Sequence, residues 1–365
     1  MGKTKLRDFD ERVLSIRDLH IEFDTNQKTL KAIRGIDFDL FQNETVAIVG
    51  ESGSGKSVTM KAIMGILAKN GTITQGFIKY WDKDDNNKLY EITKMNNKTI
   101  RKYISGSKIA MIFQDPMTSL DPTMRVGKQI RETILFHRKG VSKAEAKKLS
   151  IQYLADVGIN NPEMVYDQYP NQLSGGMRQR LVIAIALSCQ PQILICDEPT
   201  TALDVTVQDK ILNLIKNLQV KHGYSVIYIT HDLGVVAKVA DYVAVMYAGK
   251  IVEKGSVEEV FYDPRHPYTW GLLSSMPDIN TKEGTLHPIP GTPVDLSKPV
   301  RGDAFAPRNP YALNIDFVQE PPQFNVGGKH RVSSWLLDDR APKVEMPDNL
   351  KERIALMKKE AGLNG

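Results

Sequence analysis

The sequence predicts an α/β protein: a mostly parallel sheet flanked by helices, with a proline-rich extension at its C-terminal end. Three observations predict it. Five short runs, TVAIVG, IAMIF, ILICD, SVIYIT and YVAVMYAG, are apolar almost throughout and bounded by turn residues. Such runs suit strands buried on both faces, as in a parallel sheet covered on each side. Helical patterns lie between them, and strand alternating with helix implies right-handed crossovers. Finally, 13 of the 19 prolines fall between Pro264 and Pro347, less than a quarter of the chain.

The elements follow in order. The first run is succeeded by the helical pattern SVTMKAIMGIL. SKAEAKKLSIQYLADVG opens with Ser142, a good N-cap, and stops before Gly158. VTVQDKILNLIKNLQVKHG spaces its apolar residues helically and ends at Gly223. The composition changes near Val260–Asp263. Proline removes backbone donors and breaks helices, so the extension is expected to be loop-rich with short elements. The tail PDNLKERIALMKKEAGLNG reads as a short basic amphipathic helix, docked on its own domain or fraying in solvent rather than lying on a membrane.

Composition narrows the class. With 365 residues, 41% hydrophobic and 25% charged, the chain can fill an ordinary core. A net charge of +5 is too weak to argue for nucleic acid, and no nucleic-acid partner is expected. The two cysteines, Cys189 and Cys196, sit in apolar text and read as small core residues in a reducing compartment. The stretch MGKTKLRDFDERV has charge but no apolar core, so it does not read as a secretory signal, and Gly2 alone does not support myristoylation. No run of about 18 apolar residues occurs, so any membrane role is expected to come through a partner.

The segment GESGSGKS, residues 50–57, matches G-x-x-x-x-G-K-[ST] between a strand and a helix, the context that pattern needs. Its glycines let backbone N–H groups turn inward on phosphate oxygens, and the following helix adds its positive end. Lys56 would supply a charge to the β- and γ-phosphates, and Ser57 a hydroxyl to Mg²⁺. Gly50, Ser52, Gly53, Ser54, Gly55, Lys56, Ser57 and Val58 form the expected nucleotide-binding set. Downstream, ILICDEPT ends a buried run in Asp197 and Glu198, at the strand end where open α/β sheets bind ligands. Asp197 suits the outer Mg²⁺ shell, and Glu198 suits polarising an attacking water. The pair turns a phosphate site into a nucleotide-hydrolysis constellation.

Upstream of that strand lies LSGGMRQR, residues 173–180. It resembles the signature motif of the ATP-binding cassette (ABC) ATPases, with Met177 where glutamine is commonest. Physically, Ser174 and the backbone of Gly175 and Gly176 open a helix, an anion site. The resemblance implies that Leu173, Ser174, Gly175, Gly176 and Met177 serve the ATP held by an opposite subunit. Further residues match the family in order. Gln114 in IFQDP resembles the Q-loop glutamine, which reaches Mg²⁺ and senses the transmembrane partner. Asp204 in TALD resembles the D-loop residue at the dimer contact. His231 in YITHD resembles the switch histidine, catalytic with Glu198. Phe23 in LHIEFD lies where the family stacks an aromatic on adenine. The resemblance covers about 12–260. It implies a P-loop NTPase fold with an N-terminal antiparallel β portion, a helical subdomain at about 115–178, and head-to-tail dimers burying ATP and Mg²⁺.

FQDPMTSLDPTMRVGKQI, YPNQLSGGMRQRLVIAIAL, DPRHPYTWGLL and PIPGTP resemble one branch of that family, the oligopeptide, dipeptide and nickel importer ATPases, nearest to the oligopeptide-permease D-type subunits. This implies an extension at 261–345 followed by a short helical tail at 346–365. It implies a second, related ATPase as heterodimer partner, two transmembrane permease subunits, and an extracellular substrate-binding protein acting indirectly. The location implied is peripheral, on the cytoplasmic face of the cell membrane. Alternatives are the same role with a dipeptide, nickel or metal-chelate cargo, a soluble non-transport ABC ATPase, or a non-hydrolysing subunit, the last disfavoured by Glu198 and His231.

Many members of the branch carry a four-cysteine knuckle for an iron–sulfur cluster. Here GDAFAPRNPYALNIDF, residues 302–317, keeps FAPR and PY, but Asp303, Asn309, Asp316 and, further on, Ser334 occupy the cysteine positions. Oxygen donors do not suit that cluster, and two carboxylates are a thin set for Ca²⁺ or Mg²⁺. A knuckle without a cluster is expected, held by Phe305, Pro307, Pro310 and Tyr311 packing on Trp335 or Leu336.

Overall fold

A computed structural model describes residues 11–25, 28–201, 203–276 and 289–362. Gly2 and the stretch around it, Ala202 of TALD, Pro288 of PIPGTP and the last three residues of the tail lie outside the described residues. The strands are β1 (Arg12–Asp24), β2 (Thr29–Phe41), β3 (Thr45–Val49), β4 (Gly71–Asp82), β5 (Lys88–Glu91), β6 (Ile109–Ile112), β7 (Ile193–Asp197), β8 (Ser225–Thr230), β9 (Tyr242–Tyr247), β10 (Lys250–Ser256), β11 (Phe324–Gly327) and β12 (His330–Val332). The helices are α1 (Lys56–Ile63), α2 (Asn97–Tyr103), α3 (Pro116–Ser119), α4 (Val126–His137), α5 (Lys143–Asp156), α6 (Pro162–Tyr166), α7 (Gly175–Leu187), α8 (Val205–His222), α9 (Leu233–Val239), α10 (Val257–Tyr262), α11 (Pro267–Ser274) and α12 (Asp348–Glu360).

The five apolar runs are strands β3, β6, β7, β8 and β9, almost wholly buried. They form the parallel part, running to the β6 edge, of an eight-stranded sheet ordered β11-β12-β10-β9-β3-β8-β7-β6. Their uniform apolarity has a direct cause. Side chains alternate across a strand, and here both faces are covered. Ala47, Val49, Leu194, Cys196, Val226 and Tyr228 enter one core with α4, α5, α7 and α8. Their neighbours Val46, Ile48, Ile193, Ile195, Ile227 and Ile229 enter a second core. That second core is roofed mainly by a four-stranded antiparallel sheet, ordered β2-β1-β4-β5, together with α1 and α2. Helices therefore cover one face, and a second sheet covers much of the other.

The helix ends obey local chemistry. Ser142 caps α5 by accepting from the Glu145 N–H, and Gly223 closes α8 in the left-handed region, φ 72°. The helix after the phosphate loop starts at Lys56 and stops at Ile63, shorter than its sequence pattern, because Gly65 (φ 61°) turns the chain. Both cysteines are buried and unpaired, and burial pushes the Cys189 thiol up to about 11.

The extension continues the main sheet. β10 follows β9 through the Ala248–Gly249 turn, β12 pairs antiparallel with β10, and β11 with β12. Buried Glu253 on β10 ties the first turn of the extension to its end. Its carboxylate accepts from the Arg265 N–H (2.7 Å) and the His266 N–H (3.1 Å), and lies 2.7 Å from His330 Nε2. The tail helix α12 docks on α10 and α11 and buries Leu350 and Ile354. Among the described residues, no helix is long and apolar enough to cross a membrane.

Candidate active site

The loop 50–55 leaves the buried end of β3 and enters α1. Gly50 and Gly55 are required by contact as well as by conformation, Gly53 by its φ of 79° alone. At Gly50 (φ 150°) a Cβ would fall 2.0 Å from the Met246 carbonyl oxygen, and at Gly55 (φ 105°) 2.6 Å from Ile33 Cδ1. At these two positions the loop lies against β9 and β2 with no room for a side chain. Ser52 and Gly53 are exposed at its tip, while Ser54 is buried, its carbonyl accepting from the Gly249 N–H (2.9 Å). Lys56 is buried at the base of the loop. Its Nζ donates to the carbonyls of Gly50 (2.7 Å) and Glu51 (2.9 Å) and to Ser54 Oγ (3.4 Å). Burial pushes the Lys56 ammonium below its ordinary value, opposed by the carboxylates of Glu198, Asp197 and Glu51.

Ser57 Oγ donates to Asp197 Oδ1 at 3.0 Å, bringing the first turn of α1 to the end of β7. Burial raises the Asp197 carboxyl above its ordinary range, partly offset by that hydroxyl. A cation at Ser57 and Asp197 would relieve this cost, so a hydroxyl beside a desolvated carboxylate fits a hard ion such as Mg²⁺.

One residue on, three side chains converge on Glu198. Gln114 Nε2 donates to Oε2 (2.9 Å), Thr201 Oγ1 donates to Oε2 (3.0 Å), and His231 Nδ1 lies 3.1 Å from Oε1. Gln114 follows β6, Glu198 follows β7 and His231 follows β8, so three adjacent strand ends deliver the group. Glu198 itself has φ 47°, an uncommon left-handed conformation for a non-glycine residue, and its N–H donates to the Ile229 carbonyl (2.9 Å). Strain of this kind persists where the surroundings over-determine it, commonly at active sites. Sequence reasoning missed Thr201. Its place three residues after Glu198 is the only signal that could have raised it.

Other predicted residues stand apart. Ser174 caps α7, its Oγ accepting from the Met177 N–H (3.4 Å), and Gly175 is exposed. Leu173 is buried and Met177 packs on the core. Among the described residues no hydrogen bond joins Leu173–Met177 to the loop 50–57. Asp204 caps α8, accepting from the Val207 N–H at 3.0 Å. Phe23 is half-buried, its ring pressed on Gly71, where a Cβ would lie 2.5 Å from Phe23 Cε1. Val58 is half-buried in the first turn of α1.

A family described as "ABC transporter" matches residues 33–201, and one described as "Oligopeptide/dipeptide transporter, C-terminal region" matches residues 252–315. The oligopeptide transport ATP-binding protein OppD of Bacillus subtilis is 55% identical over 345 residues, covering 94% of each chain. The chain belongs to the ABC transporter family, among its ATP-binding subunits. Two further relatives of this ABC ATPase are 54% identical: the dipeptide transport ATP-binding protein DppD of Lactococcus lactis, over 94% of this chain and 96% of its own, and the oligopeptide transport ATP-binding protein AmiE of Streptococcus pneumoniae, over 94% and 95%. Among solved structures, the dimeric bacterial ABC cassette MJ0796 has a TM-score of 0.58 at 26% identity, covering 67% of this chain and 98% of its own. The protein cbiO1 of Clostridium perfringens, part of the ABC transporter complex cbiONQ, has a TM-score of 0.57 at 28% identity, covering 69% and 92%.

The knuckle of the ABC subunit's extension is held by side-chain oxygens that accept from backbone N–H groups. Asp303 Oδ1 accepts from the Phe305 N–H (3.0 Å), Asn309 Oδ1 from the Tyr311 N–H (2.9 Å), Asp316 Oδ2 from the Leu313 N–H (2.6 Å) and Ser334 Oγ from the Leu336 N–H (3.4 Å). All four side chains are buried. Each oxygen closes a local turn. The four positions therefore have a structural use that needs no thiolate, and their oxygen donors do not fit an iron–sulfur cluster. The expected aromatic partners are corrected. Phe305 packs on Tyr247, Tyr268 and His266, and Tyr311 packs on Trp270, while Trp335 packs on Phe324 and donates its Nε1–H to the Gln319 carbonyl. Phe305 and Tyr311 of the knuckle therefore face α11 and β9.

Proposed function

We propose that this ABC ATPase energises peptide import, hydrolysing ATP between its own phosphate loop and the signature segment of a second, related ATPase subunit. The observation that carries the catalytic half is the convergence of Gln114, Thr201 and His231 on Glu198, beside the Ser57–Asp197 contact. Loop 50–57 cradles the phosphates with backbone N–H groups. Lys56 trades its carbonyl partners for the β- and γ-phosphate oxygens. Ser57, Asp197 and Gln114 would hold Mg²⁺, which supplies charge neutralisation on the transferring group. Glu198 takes the role of base, orienting the attacking water, and His231 holds Glu198 and contacts the γ-phosphate. When Glu198 is a carboxylate, His231 Nδ1 carries the hydrogen, and donation from Nε2 to a phosphate oxygen requires the doubly protonated ring. Phe23 offers its exposed edge to the adenine.

The signature residues Leu173–Met177 and the D-loop residue Asp204 act in trans, a reading supported for Leu173–Met177 by the absence of a hydrogen bond to loop 50–57 among the described residues. The dimeric state named for the related cassette MJ0796 supports that assembly. The unit 12–260 is the ATPase, with its helical subdomain near 115–178. Residues 261–345 form the extension and 346–365 the tail. The partners are two permease subunits, with a binding protein acting indirectly, at the cytoplasmic face of the membrane.

Cargo is the finer question. The C-terminal family is described for both oligopeptides and dipeptides, and oligopeptides are the preferred reading because two of the three relatives of near-equal identity are named for them. The test is to isolate the subunit from membranes with its bound partners, reconstitute the complex and measure peptide uptake against length. ATP-dependent uptake of tetra- and pentapeptides is the expected result. Uptake of dipeptides only, or of nickel, selects the alternative, and a complex lacking a permease overturns the transport reading.

A further inference from the structure

Glu51 is the second residue of the phosphate loop, and both its carboxylate oxygens are taken by a residue of the extension. Arg308 Nη1 donates to Glu51 Oε2 (2.6 Å) and Nη2 to Oε1 (2.9 Å), a fork-to-fork pair between residues 257 apart in sequence. The Arg308 side chain is 4% exposed. Its Nε donates to the Pro290 carbonyl (2.8 Å), and its guanidinium lies 5.7 Å from the Tyr247 ring and 5.9 Å from the Phe305 ring. The Glu51 N–H is also taken by the extension, donating to Tyr268 Oη at 2.8 Å. Tyr247, Tyr268 and Phe305 pack against one another around this point. On the other side, the Glu51 carbonyl accepts from Lys56 Nζ. Glu51 thus joins the extension, through its side chain and N–H, to the lysine at the base of the loop, through its carbonyl.

We propose that Arg308 is a positioning residue for ATP: the extension sets the shape of the phosphate loop through the Arg308–Glu51 pair. This rests on the reading of loop 50–57 as the ATP site. A bidentate guanidinium–carboxylate pair has fixed geometry as well as strength, so it orients Glu51 and the carbonyl that Lys56 uses. The knuckle supplies the rigidity. Asp303 and Asn309, on either side of Arg308, close turns that hold Phe305 and Tyr311 in place. The coupling is reciprocal: whatever ATP does to Lys56 and Glu51 reaches the extension by the same pair.

The test is equilibrium binding of Mg-ATP to the full chain, with thermal melting in the absence of ATP to report folding. The variants are Arg308→Ala, Arg308→Lys, Glu51→Ala, Glu51→Gln and the double Glu51→Ala/Arg308→Ala, with Lys56→Ala as reference. The expected result is a rise in Kd on the order of tenfold for each alanine single, a smaller rise for Arg308→Lys, and a double variant no weaker than either single within about twofold, because both singles break one connection. Unchanged Kd in folded Arg308 and Glu51 variants overturns the proposal, and so do single effects that multiply in the double. If Arg308→Ala does not fold, Arg308→Lys and Glu51→Gln decide by the same criteria. If the wild-type chain fails to bind ATP, or Lys56→Ala binds as tightly as wild type, the nucleotide-site reading fails and takes the proposal with it. Weakened binding in Lys56→Ala beside wild-type binding in the other variants removes the proposal alone.

Discussion

His231 Nδ1 lies 3.1 Å from Glu198 Oε1, across the ends of two neighbouring parallel strands. The same carboxylate takes Gln114 and Thr201 on its other oxygen, so both oxygens of Glu198 are engaged by side chains from the strand ends around it. Substituting Glu198→Gln keeps the shape but turns one acceptor oxygen into a donor amide and removes the charge that polarises water. ATP binding is expected to survive while hydrolysis falls by about 10²-fold or more, with ATP-dependent dimers accumulating. Steady-state ATPase rates and size-exclusion with ATP check this. Turnover at the wild-type rate would remove Glu198 from the role of base.

Lys56→Ala is expected to weaken ATP binding by about 1.5–3 kcal/mol, roughly 10- to 150-fold in Kd, the range for a charge-assisted hydrogen bond. In the structure the ammonium is held by the carbonyls of Gly50 and Glu51. Part of the binding energy is therefore spent releasing it, so the effect belongs at the lower end of that range. Isothermal titration with Mg-ATP measures it, and an unchanged Kd would refute the phosphate contact.

How much of this was legible beforehand divides along a physical line. The five central strands were readable because two-sided burial leaves an unbroken apolar text, and Lys56, Ser57, Asp197 and Glu198 were readable because their spacing is local to one turn or one strand end. Arg308 and Tyr268 were quoted in the text of the extension, yet their bond to Glu51 joins positions more than 200 residues apart, and no local periodicity carries that information. The antiparallel roof over the second core came from family resemblance rather than pattern, since β1 and β2 alternate irregularly through several register shifts. The aromatic partners of the knuckle were misassigned for the same reason: sequence nearness favoured Trp335, whereas tertiary packing placed Phe305 on Tyr247 and Tyr268.

Asp204 offers a way to separate a local from an intersubunit role. Its carboxylate accepts from the Val207 N–H and caps the 18-residue helix α8. Asp204→Ala is expected to cost about 0.5–2 kcal/mol of stability in the isolated chain, and Asp204→Ser to restore most of it. Urea denaturation of the isolated subunit reads both. A chain whose stability ignores Asp204→Ala would show that the cap contributes nothing, leaving only the proposed dimer contact for this residue.

Asp303 makes stability depend on pH in a direction opposite to the usual carboxylate. Burial is the largest cause of its raised value, about 6, with Asp316 and Glu320 adding to it and the Phe305 N–H and Arg34 opposing it. From about pH 4 to about pH 6 the folded chain therefore holds a proton that the unfolded chain has already lost. Stability contributed by this site falls as pH rises through that window and stays low above it. Asp303→Asn keeps an oxygen to accept from the Phe305 N–H without a charge to desolvate. The variant is expected to match wild type near pH 4 and to exceed it by about 1–3 kcal/mol at neutral pH, the gap opening between those limits. Denaturant midpoints of the two chains at half-unit pH steps test it. A constant gap across the range, or a wild type that is the more stable at neutral pH, would show that Asp303 is ionised at little cost and that its environment is wetter than its burial implies.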